Sequence, residues 1–249
     1  MIRYFSNISC LLAHSVTSVA QRLPLCKGAA LAVLTLCFCS CGNLFEFEGM
    51  EEVAVSMKLS QKNVTIMSGD SIPFSVAFTP DSLKDNGVYY TTSDSSVAYF
   101  NGRVLKARAE GEVVATGVSG TYKCTDTCHV RVIEPWRVNT GIFENYMLVF
   151  ADVTFRDAPA DKTLDVAAFV GDELRGVAEM RSTGTGNNRK NYWRLLIWGS
   201  DADAGKTVTF RGYSHRYIGV TTCAQTLKFD LDKTEGTLSD LFKIIVPGN

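Results

Sequence analysis

The chain has 249 residues, with 25 lysines and arginines, 26 aspartates and glutamates, and a formal net charge of −1. This balance lacks the basic excess that phosphate backbones attract, so the composition argues against nucleic acid as a partner. If residues 1–40 are removed as argued below, the remaining 209 residues carry 22 basic and 26 acidic side chains. That length suffices for two domains of about 100 residues each.

The N-terminal stretch predicts an export signal. Arg22 and Lys27 lead into an apolar segment, residues 28–39, that is too short to span a bilayer as a helix but suits a secretory signal. Ser40 and Cys41 follow it. This order resembles the lipobox of bacterial lipoproteins, and the resemblance implies that residues 1–40 are removed and that Cys41 is acylated. An ordinary signal peptide and a short buried helix are the alternatives.

Residues 41–52 are predicted to form a short acidic tether. Acidic residues directly after the anchoring cysteine resemble the surface-export signal of Bacteroidetes lipoproteins, although here they begin only at Glu46, and a solvated linker is the alternative. No apolar run of about 20 residues follows Cys41, so its acyl chains are the one membrane attachment that the sequence offers. We therefore expect a protein anchored in the outer membrane through acylated Cys41 and exposed at the cell surface.

Residues 53–134 show the period of β-strands throughout. One buried face is predicted for a strand in which apolar residues alternate with others: Ile72, Phe74, Val76 and Phe78. Turn signals separate this run from further short strands: Asn86-Gly87, Asn101-Gly102 and Gly111. The spacing predicts a small antiparallel β-sandwich.

The same region resembles the group 2 bacterial immunoglobulin-like domain over about residues 55–132. The matching positions are Gly69, Pro80, the run 90–98 (YTTSDSSVA), Gly102-Arg103-Val104 and Gly111. Tyr90 stands where that family usually has tryptophan, and an aromatic ring of similar size can fill the same place after some repacking. The resemblance implies a stalk or adhesion module of surface proteins, without catalytic residues.

Pro135-Trp136 marks a boundary, because proline ends a strand and holds its predecessor extended. Residues 135–249 are predicted to be a second β-sandwich domain, with residues 182–188 as a flexible loop. Its strands are indicated by alternating apolar residues: Met147 to Phe155, Val166 to Val170 joined at Gly171-Asp172 to Val177, Trp193 to Ile197, and Val208 with Phe210. The predicted fold class is all-β, with two tandem antiparallel, immunoglobulin-like β-sandwiches after the signal peptide.

The second domain is similar to a β-sandwich domain common in Bacteroidetes extracellular proteins. The similarity rests on residues 167–178, 196–199, 209–213 and 229–230, which fall in that family's order within about residues 145–246. The biochemical role of that family is not established. The similarity therefore implies a fold and an extracellular location and leaves the function open.

Two groups of residues are candidates for ligand binding. Tyr192, Arg194 and Trp198 share the strand face opposite Trp193, and a solvent-exposed face of this kind could serve as a glycan platform. Apolar residues on both faces equally describe a strand buried on both sides. The second group is a predicted hairpin, where a plain turn is the alternative: Tyr213, His215 and Tyr217.

Metal sites receive little support from the sequence. Asp230, Asp232 and Glu235 place carboxylates near one another, but the complete calcium-loop pattern is absent, so a solvated acidic turn is the preferred interpretation. Cys124 and Cys128, if both lie on one strand, are roughly 13 Å apart and cannot form a disulfide. His129 would point away from Cys128, which argues against zinc. We expect no metal and no other cofactor.

The sequence also lacks a recognisable catalytic arrangement. His129 and His215 fall in different predicted domains, and no serine lies in a Gly-x-Ser-x-Gly turn. Two function classes remain. One is a non-catalytic structural or adhesive surface lipoprotein, with the first domain as spacer and the second presenting a surface to a protein or polysaccharide partner. The other is a glycan-binding lipoprotein of a polysaccharide-uptake system.

Overall fold

The computed structural model describes residues 54–85 and 87–248. The predicted signal peptide, the tether with Cys41, residue 53 and Asn86 of a predicted turn lie outside the described residues. From Ala54 onward the chain forms one compact unit. Within the described ranges, no helix has the length and apolar character needed to cross a membrane.

Among the described residues, nine strands build the first part of this unit. They are β1 (Ser56–Leu59), β2 (Asn63–Met67), β3 (Ser71–Pro73), β4 (Val76–Thr79), β5 (Val88–Thr92), β6 (Ala98–Asn101), β7 (Val104–Ala107), β8 (Gly111–Ser119) and β9 (Cys124–Ile133). Three sheets form, with the orders β1-β4, β2-β9-β8-β5 and β3-β7-β6. Their inner faces enclose one apolar core, which includes Ile66, Phe74, Leu105, Ala115 and Val130. We call this part the first sandwich.

The strand predicted through Ile72 and Phe78 is divided in two. β3 pairs with β7, whereas β4 pairs with β1, so the chain passes from one sheet to another between them. At the crossing, the Phe74 amide donates to the Arg103 carbonyl at 2.8 Å and the Ser75 amide donates to Ser60 Oγ at 3.1 Å. The predicted inward face survives, since Ile72, Phe74 and Phe78 are buried. Alternation fixes which side chains point inward, whereas the sheet to which each half belongs depends on partners distant in the sequence.

Nine further strands lie in the described part of the chain after a short 3-10 turn at Thr140–Ile142. They are β10 (Asn145–Phe155), β11 (Ala158–Pro159), β12 (Leu164–Val170), β13 (Glu173–Thr183), β14 (Lys190–Gly199), β15 (Thr207–Ser214), β16 (Val220–Lys228), β17 (Thr234–Glu235) and β18 (Phe242–Val246). They are ordered β11-β10-β14-β13-β12-β15-β16, and β17 and β18 pair parallel to β10. We call this part the second sandwich.

β13 is shared by the two layers of the second sandwich. Residues 173–177 of this strand pair with β12, and residues 178–183 pair with β14. The layer of β12, β15 and β16 and the layer of β14 and β10 thereby face each other across one apolar core, which includes Met147, Val166, Leu195, Phe210 and Ile244. The predicted turn at Gly171 is present, and the backbone there has a φ of 63°, which glycine adopts without strain. The predicted loop 182–188 is shorter than expected, because β13 continues to Thr183.

The predicted fold class is confirmed: the described residues form an all-β structure of sandwich layers. Most pairings are antiparallel, as predicted, but β2 runs parallel to β9, and β17 and β18 run parallel to β10. Every strand pairing among the described residues joins two strands on the same side of Pro135.

Candidate functional site

The outward face of β14 carries three of the residues selected from the sequence. Inward-pointing Trp193, Leu195 and Ile197 are buried, whereas Tyr192, Arg194 and Trp198 on the opposite face are half-exposed. Their partners across the sheet come from β10, where Tyr146 lies opposite Trp198 and Phe150 lies opposite Arg194. This outward face is therefore neither a second core nor fully solvated.

Aromatic rings cover this face in two pairs. The Tyr146 and Trp198 ring centroids are 5.3 Å apart, and those of Phe150 and Tyr192 are 5.8 Å apart, each pair inclined at 54°. Tyr146 remains 42% exposed. We call these four residues the aromatic face. Cross-strand aromatic contacts of this kind hold rings in place while leaving part of each ring accessible.

A charged group adjoins the aromatic face on β13. Glu179 Oε2 accepts a hydrogen bond from Arg194 Nη2 at 3.0 Å and also pairs with Arg181. The hydrogen bond from Arg181, supported by that from Arg194, lowers the pKa of the Glu179 carboxyl and outweighs the opposing effect of burial. Arg194 is therefore held over the sheet by an ionised carboxylate.

A cleft lies between the aromatic face and the chain segment that follows Pro135. Trp136, Arg137, Glu179, Arg194 and Trp198 are among its lining residues, and its volume is about 280 Å³. The Trp136 ring has edge contacts with Phe169 at 5.8 Å and with Tyr213 at 6.5 Å between centroids. These two rings of the second sandwich thus hold the Trp136 indole in position. We call this space the tryptophan cleft.

Tyr213, His215 and Tyr217 lie away from the aromatic face. Tyr213 is fully buried, so its ring cannot stack on a ligand. Its hydroxyl accepts from the Met67 amide at 2.9 Å and donates to Asp70 Oδ2 at 2.8 Å. Tyr213 therefore belongs to the junction with the first sandwich rather than to a ligand surface.

His215 bridges two carboxylates at the same junction. Its Nδ1 lies 2.8 Å from Asp70 Oδ2, and its Nε2 lies 3.0 Å from Asp165 Oδ2. Burial acts to lower the pKa of the imidazole, but the hydrogen bonds that the ring donates to the two carboxylates outweigh it and raise that pKa. Tyr217 is exposed at the hairpin, with the Arg156 guanidinium 4.0 Å from its ring centroid. The plain-turn interpretation of this segment is the one that the geometry favours.

The carboxylates considered for calcium do not converge. Glu235 on β17 pairs with Lys233 at 3.4 Å, while the side chains of Asp230 and Asp232 are exposed. Across the described ranges, no group of three or more histidine, cysteine, aspartate or glutamate side chains is arranged to hold a metal ion.

The three thiols of the described residues are free. Cys124 is half-exposed, whereas Cys128 and Cys223 are buried. Burial raises the pKa of Cys128 to about 11 and that of Cys223 to about 12.

A buried ion pair, not identified from the sequence, lies in the second sandwich. Arg175 Nη1 lies 2.7 Å from Asp203 Oδ2, and both side chains are almost entirely buried. Lys206 Nζ contacts the other carboxylate oxygen at 2.8 Å, and the Phe143 ring lies 4.5 Å from the Arg175 guanidinium. The hydrogen bond from Arg175 strongly lowers the pKa of Asp203. Asp203 also accepts from the Ser200 amide, so this pair fixes the turn that follows β14.

Several residues of the candidate site were not selected from the sequence: Tyr146, Phe150, Trp136, Arg137 and Glu179. Alternation along β10 could have placed Tyr146 and Phe150 on the outward face, because each lies next to a predicted core position in a strand whose successive side chains point to opposite faces. The register that sets Tyr146 beside Trp198 could not have been predicted in the same way, since the two residues are 52 positions apart.

No family model matches the chain, and no curated protein matches it. The resemblance to the group 2 bacterial immunoglobulin-like domain therefore stays a prediction.

Solved structures give distant likenesses. One is domains 4–9 of the surface layer protein SbsC, with 13% identity and a TM-score of 0.28 over 73% of this chain, which spans 31% of that chain. A structure of SbsC domains 4 and 5 has 10% identity and a TM-score of 0.27, with 74% of this chain and 98% of that chain covered. A marsupial T cell receptor has 9% identity and a TM-score of 0.24, with 70% and 99% covered. At these TM-scores the likenesses carry no conclusion about this chain.

Proposed function

We propose that the protein is a non-catalytic cell-surface lipoprotein whose second sandwich presents a binding surface. Acylated Cys41 anchors it in the outer membrane, and the first sandwich acts as the spacer. The observation that carries this proposal is the aromatic face, where Tyr146, Trp198 and their neighbours stay accessible on a rigid sheet. Exposed aromatic clusters on a fixed scaffold are typical of binding surfaces.

The contrast between the two outward faces of the second sandwich supports this assignment. On the β12–β15 layer, outward-pointing Phe169 and Tyr213 are buried beneath Trp136 and the first sandwich. On the outward face of the β10–β14 layer, Tyr146 is exposed. One face is thus used within the molecule, and the other is available to a partner.

A second candidate function is glycan binding within a polysaccharide-uptake system. The observation that favours it is the combination of aromatic rings with Arg194, because sugar rings stack on indole and phenol faces while an arginine donates to their oxygens. The two candidates differ in the partner and share the surface.

Membrane attachment is tested by replacing Cys41. In Cys41→Ser the thiol that accepts the diacylglyceryl group is lost, so we expect no incorporation of labelled palmitate and release of the protein from the membrane fraction. Equal labelling of Cys41→Ser and the wild type would contradict the anchor.

The binding surface is tested with the double variant Tyr146→Ala and Trp198→Ala in the full chain. We expect it to lose attachment to cells or retardation by polysaccharide gels. Tyr89→Ala is the matched control, since Tyr89 is an aromatic residue on the first sandwich that is 67% exposed. Undiminished attachment by the double variant would assign the binding surface elsewhere. Point variants are preferable to removing residues 135–249, because Met67 and Asp70 have hydrogen-bond partners beyond that cut.

A further inference from the structure

The tryptophan cleft has the features of a small-ligand site rather than of a flat contact surface. Trp136 and Trp198 both line it, and each indole is held by other rings: Trp136 by Phe169 and Tyr213, and Trp198 by Tyr146. Rings that are already held in position lose little conformational freedom on binding, which favours affinity. The cleft therefore offers preformed apolar surfaces on two sides of its lining.

The charge of the lining is positive. Arg137 is exposed and makes no hydrogen bond or ion pair with any described residue. Arg194 also lines the cleft, and the one acidic residue among the lining side chains, Glu179, is already paired with Arg194 and Arg181. The guanidinium of Arg137 thus has its full set of donors available, and guanidinium groups match the geometry of carboxylate and sulfate oxygens.

We propose that the tryptophan cleft binds an anionic sugar residue, bearing a carboxylate or a sulfate, with Arg137 pairing with the anionic group and Trp198 stacking on the sugar ring. This proposal rests on the glycan-binding function proposed above and names its ligand class. A neutral sugar would satisfy the indoles but leave Arg137 unpaired. A simple anion would pair with Arg137 but leave the indoles without an apolar partner.

The test uses the mature chain with Cys41→Ser, which keeps both sandwiches and removes the anchor. Binding is measured by calorimetry and by affinity gel electrophoresis for three probes: an oligogalacturonate, a carrageenan oligosaccharide that carries sulfate and no carboxylate, and a neutral xylo-oligosaccharide of the same length. We expect at least one anionic probe to bind tenfold or more tightly than the neutral one. We also expect its affinity to fall as sodium chloride is raised, because the pair with Arg137 is exposed and screened.

Substitutions locate the binding in the cleft. Arg137→Ala should weaken the binding of the anionic probe tenfold or more and leave the binding of the neutral probe unchanged. Arg137→Lys should recover part of the lost affinity, because lysine keeps the charge without the planar fork of the guanidinium. Trp198→Ala should weaken the binding of both the anionic and the neutral probes. Arg103→Ala is the matched control, since Arg103 is an exposed arginine on the first sandwich and should change nothing.

Three results would overturn the proposal: equal affinity for neutral and anionic probes, unchanged affinity in Arg137→Ala, or no binding of either anionic probe at millimolar concentration. If the anionic probes do not bind but the double variant of the aromatic face still loses surface attachment, the proposed function stands and the ligand class is wrong. If the sulfated probe binds and the oligogalacturonate does not, the cleft selects sulfate.

Discussion

Tyr213 of the second sandwich donates its hydroxyl hydrogen to Asp70 of the first, with 2.8 Å between the oxygen atoms, and accepts from the Met67 amide at 2.9 Å. Both bonds are made by one fully buried hydroxyl. Because each bond joins residues more than 140 positions apart, this single group ties the two sandwiches together.

Removing that hydroxyl should destabilise the whole unit. Tyr213→Phe keeps the ring but leaves the buried Met67 amide without its acceptor, and we expect the free energy of unfolding to fall by about 1–3 kcal/mol. Urea unfolding of the mature chain measures this value. Tyr217→Phe, an exposed tyrosine of the same hairpin, is the control and should change it by less than about 0.5 kcal/mol. Equal stability of the two variants would show that the junction does not depend on this hydroxyl.

The His215 bridge predicts a dependence of stability on pH. The groups facing the imidazole are Asp70 from the first sandwich, Asp165 from β12 and the Tyr213 hydroxyl that shares Asp70. Both ring nitrogens contact carboxylates, so the protonated ring satisfies both bonds. The pKa of His215 is raised above the ordinary value of 6.5. The stabilising contribution of the charged ring is therefore fully present below about pH 6.5 and is lost as the pH rises through the folded-state pKa.

Urea midpoints at about pH 5.5 and about pH 8.5 test this dependence. The stability difference between the wild type and His215→Gln should be larger at the lower pH. His129→Gln is the control, because His129 is exposed on β9. A difference that stays constant, or that grows at the higher pH, would contradict the assigned sign.

The buried pair of Arg175 and Asp203 predicts a large effect of a nearly isosteric change. Asp203→Asn leaves the buried guanidinium without its closest counter-charge, and we expect a loss of about 3–5 kcal/mol at neutral pH by urea unfolding. Asp201→Asn in the same turn should cost less than about 1 kcal/mol, because Asp201 is exposed.

Acid should mimic the Asp203 substitution. Since the pKa of Asp203 is lowered in the folded state, its contribution is present above its ordinary value of 3.8 and is lost as pH falls through the folded-state pKa. The stability difference between the wild type and Asp203→Asn should therefore shrink in strong acid. A difference that does not change with acidification would contradict the ionised pair.

Thiol reactivity should separate the three cysteines of the described residues. At about pH 8 only Cys124 should react rapidly with a disulfide reagent, because Cys128 and Cys223 are buried and their raised pKa values leave almost no thiolate. In the mature chain with Cys41→Ser, we expect one rapid thiol in the native protein and three in urea, with the rapid phase absent when Cys124→Ser is added. Two rapid thiols in the native protein would show that one of the buried strands opens.

Apolar alternation in the sequence predicted a large part of the second sandwich, because in a strand with one buried face it identifies which side chains point into the core. The side chains of β10 that point into the core are those predicted: Met147, Val149, Ala151 and Val153. The β12–β13 hairpin turns at Gly171, also as predicted. The same rule correctly placed Tyr192 and Trp198 opposite the buried Trp193.

Relationships between distant residues were not predictable in this way. Nothing local to Tyr213 distinguishes a hydroxyl that meets a ligand from one that meets Asp70, so the sequence predicts the same role for Tyr213 and Tyr217 although one is buried and the other exposed. The prediction of one undivided strand through Phe74 was wrong for the same reason, because the partners of each half lie elsewhere in the chain.

The parallel pairing of β2 with β9 has a mechanical consequence. Under the proposed arrangement, a load between the membrane anchor and a bound partner enters the first sandwich through β1, passes from there to β2, and leaves the sandwich after β9. Asn63 lies opposite His129 and Met67 opposite Ile133, so this load pulls the two strands in opposite directions along their length. Their ladder bonds are then strained together in shear, whereas an antiparallel pair pulled from one end would open one bond at a time. The first sandwich is thus oriented to resist stretching as well as to span distance.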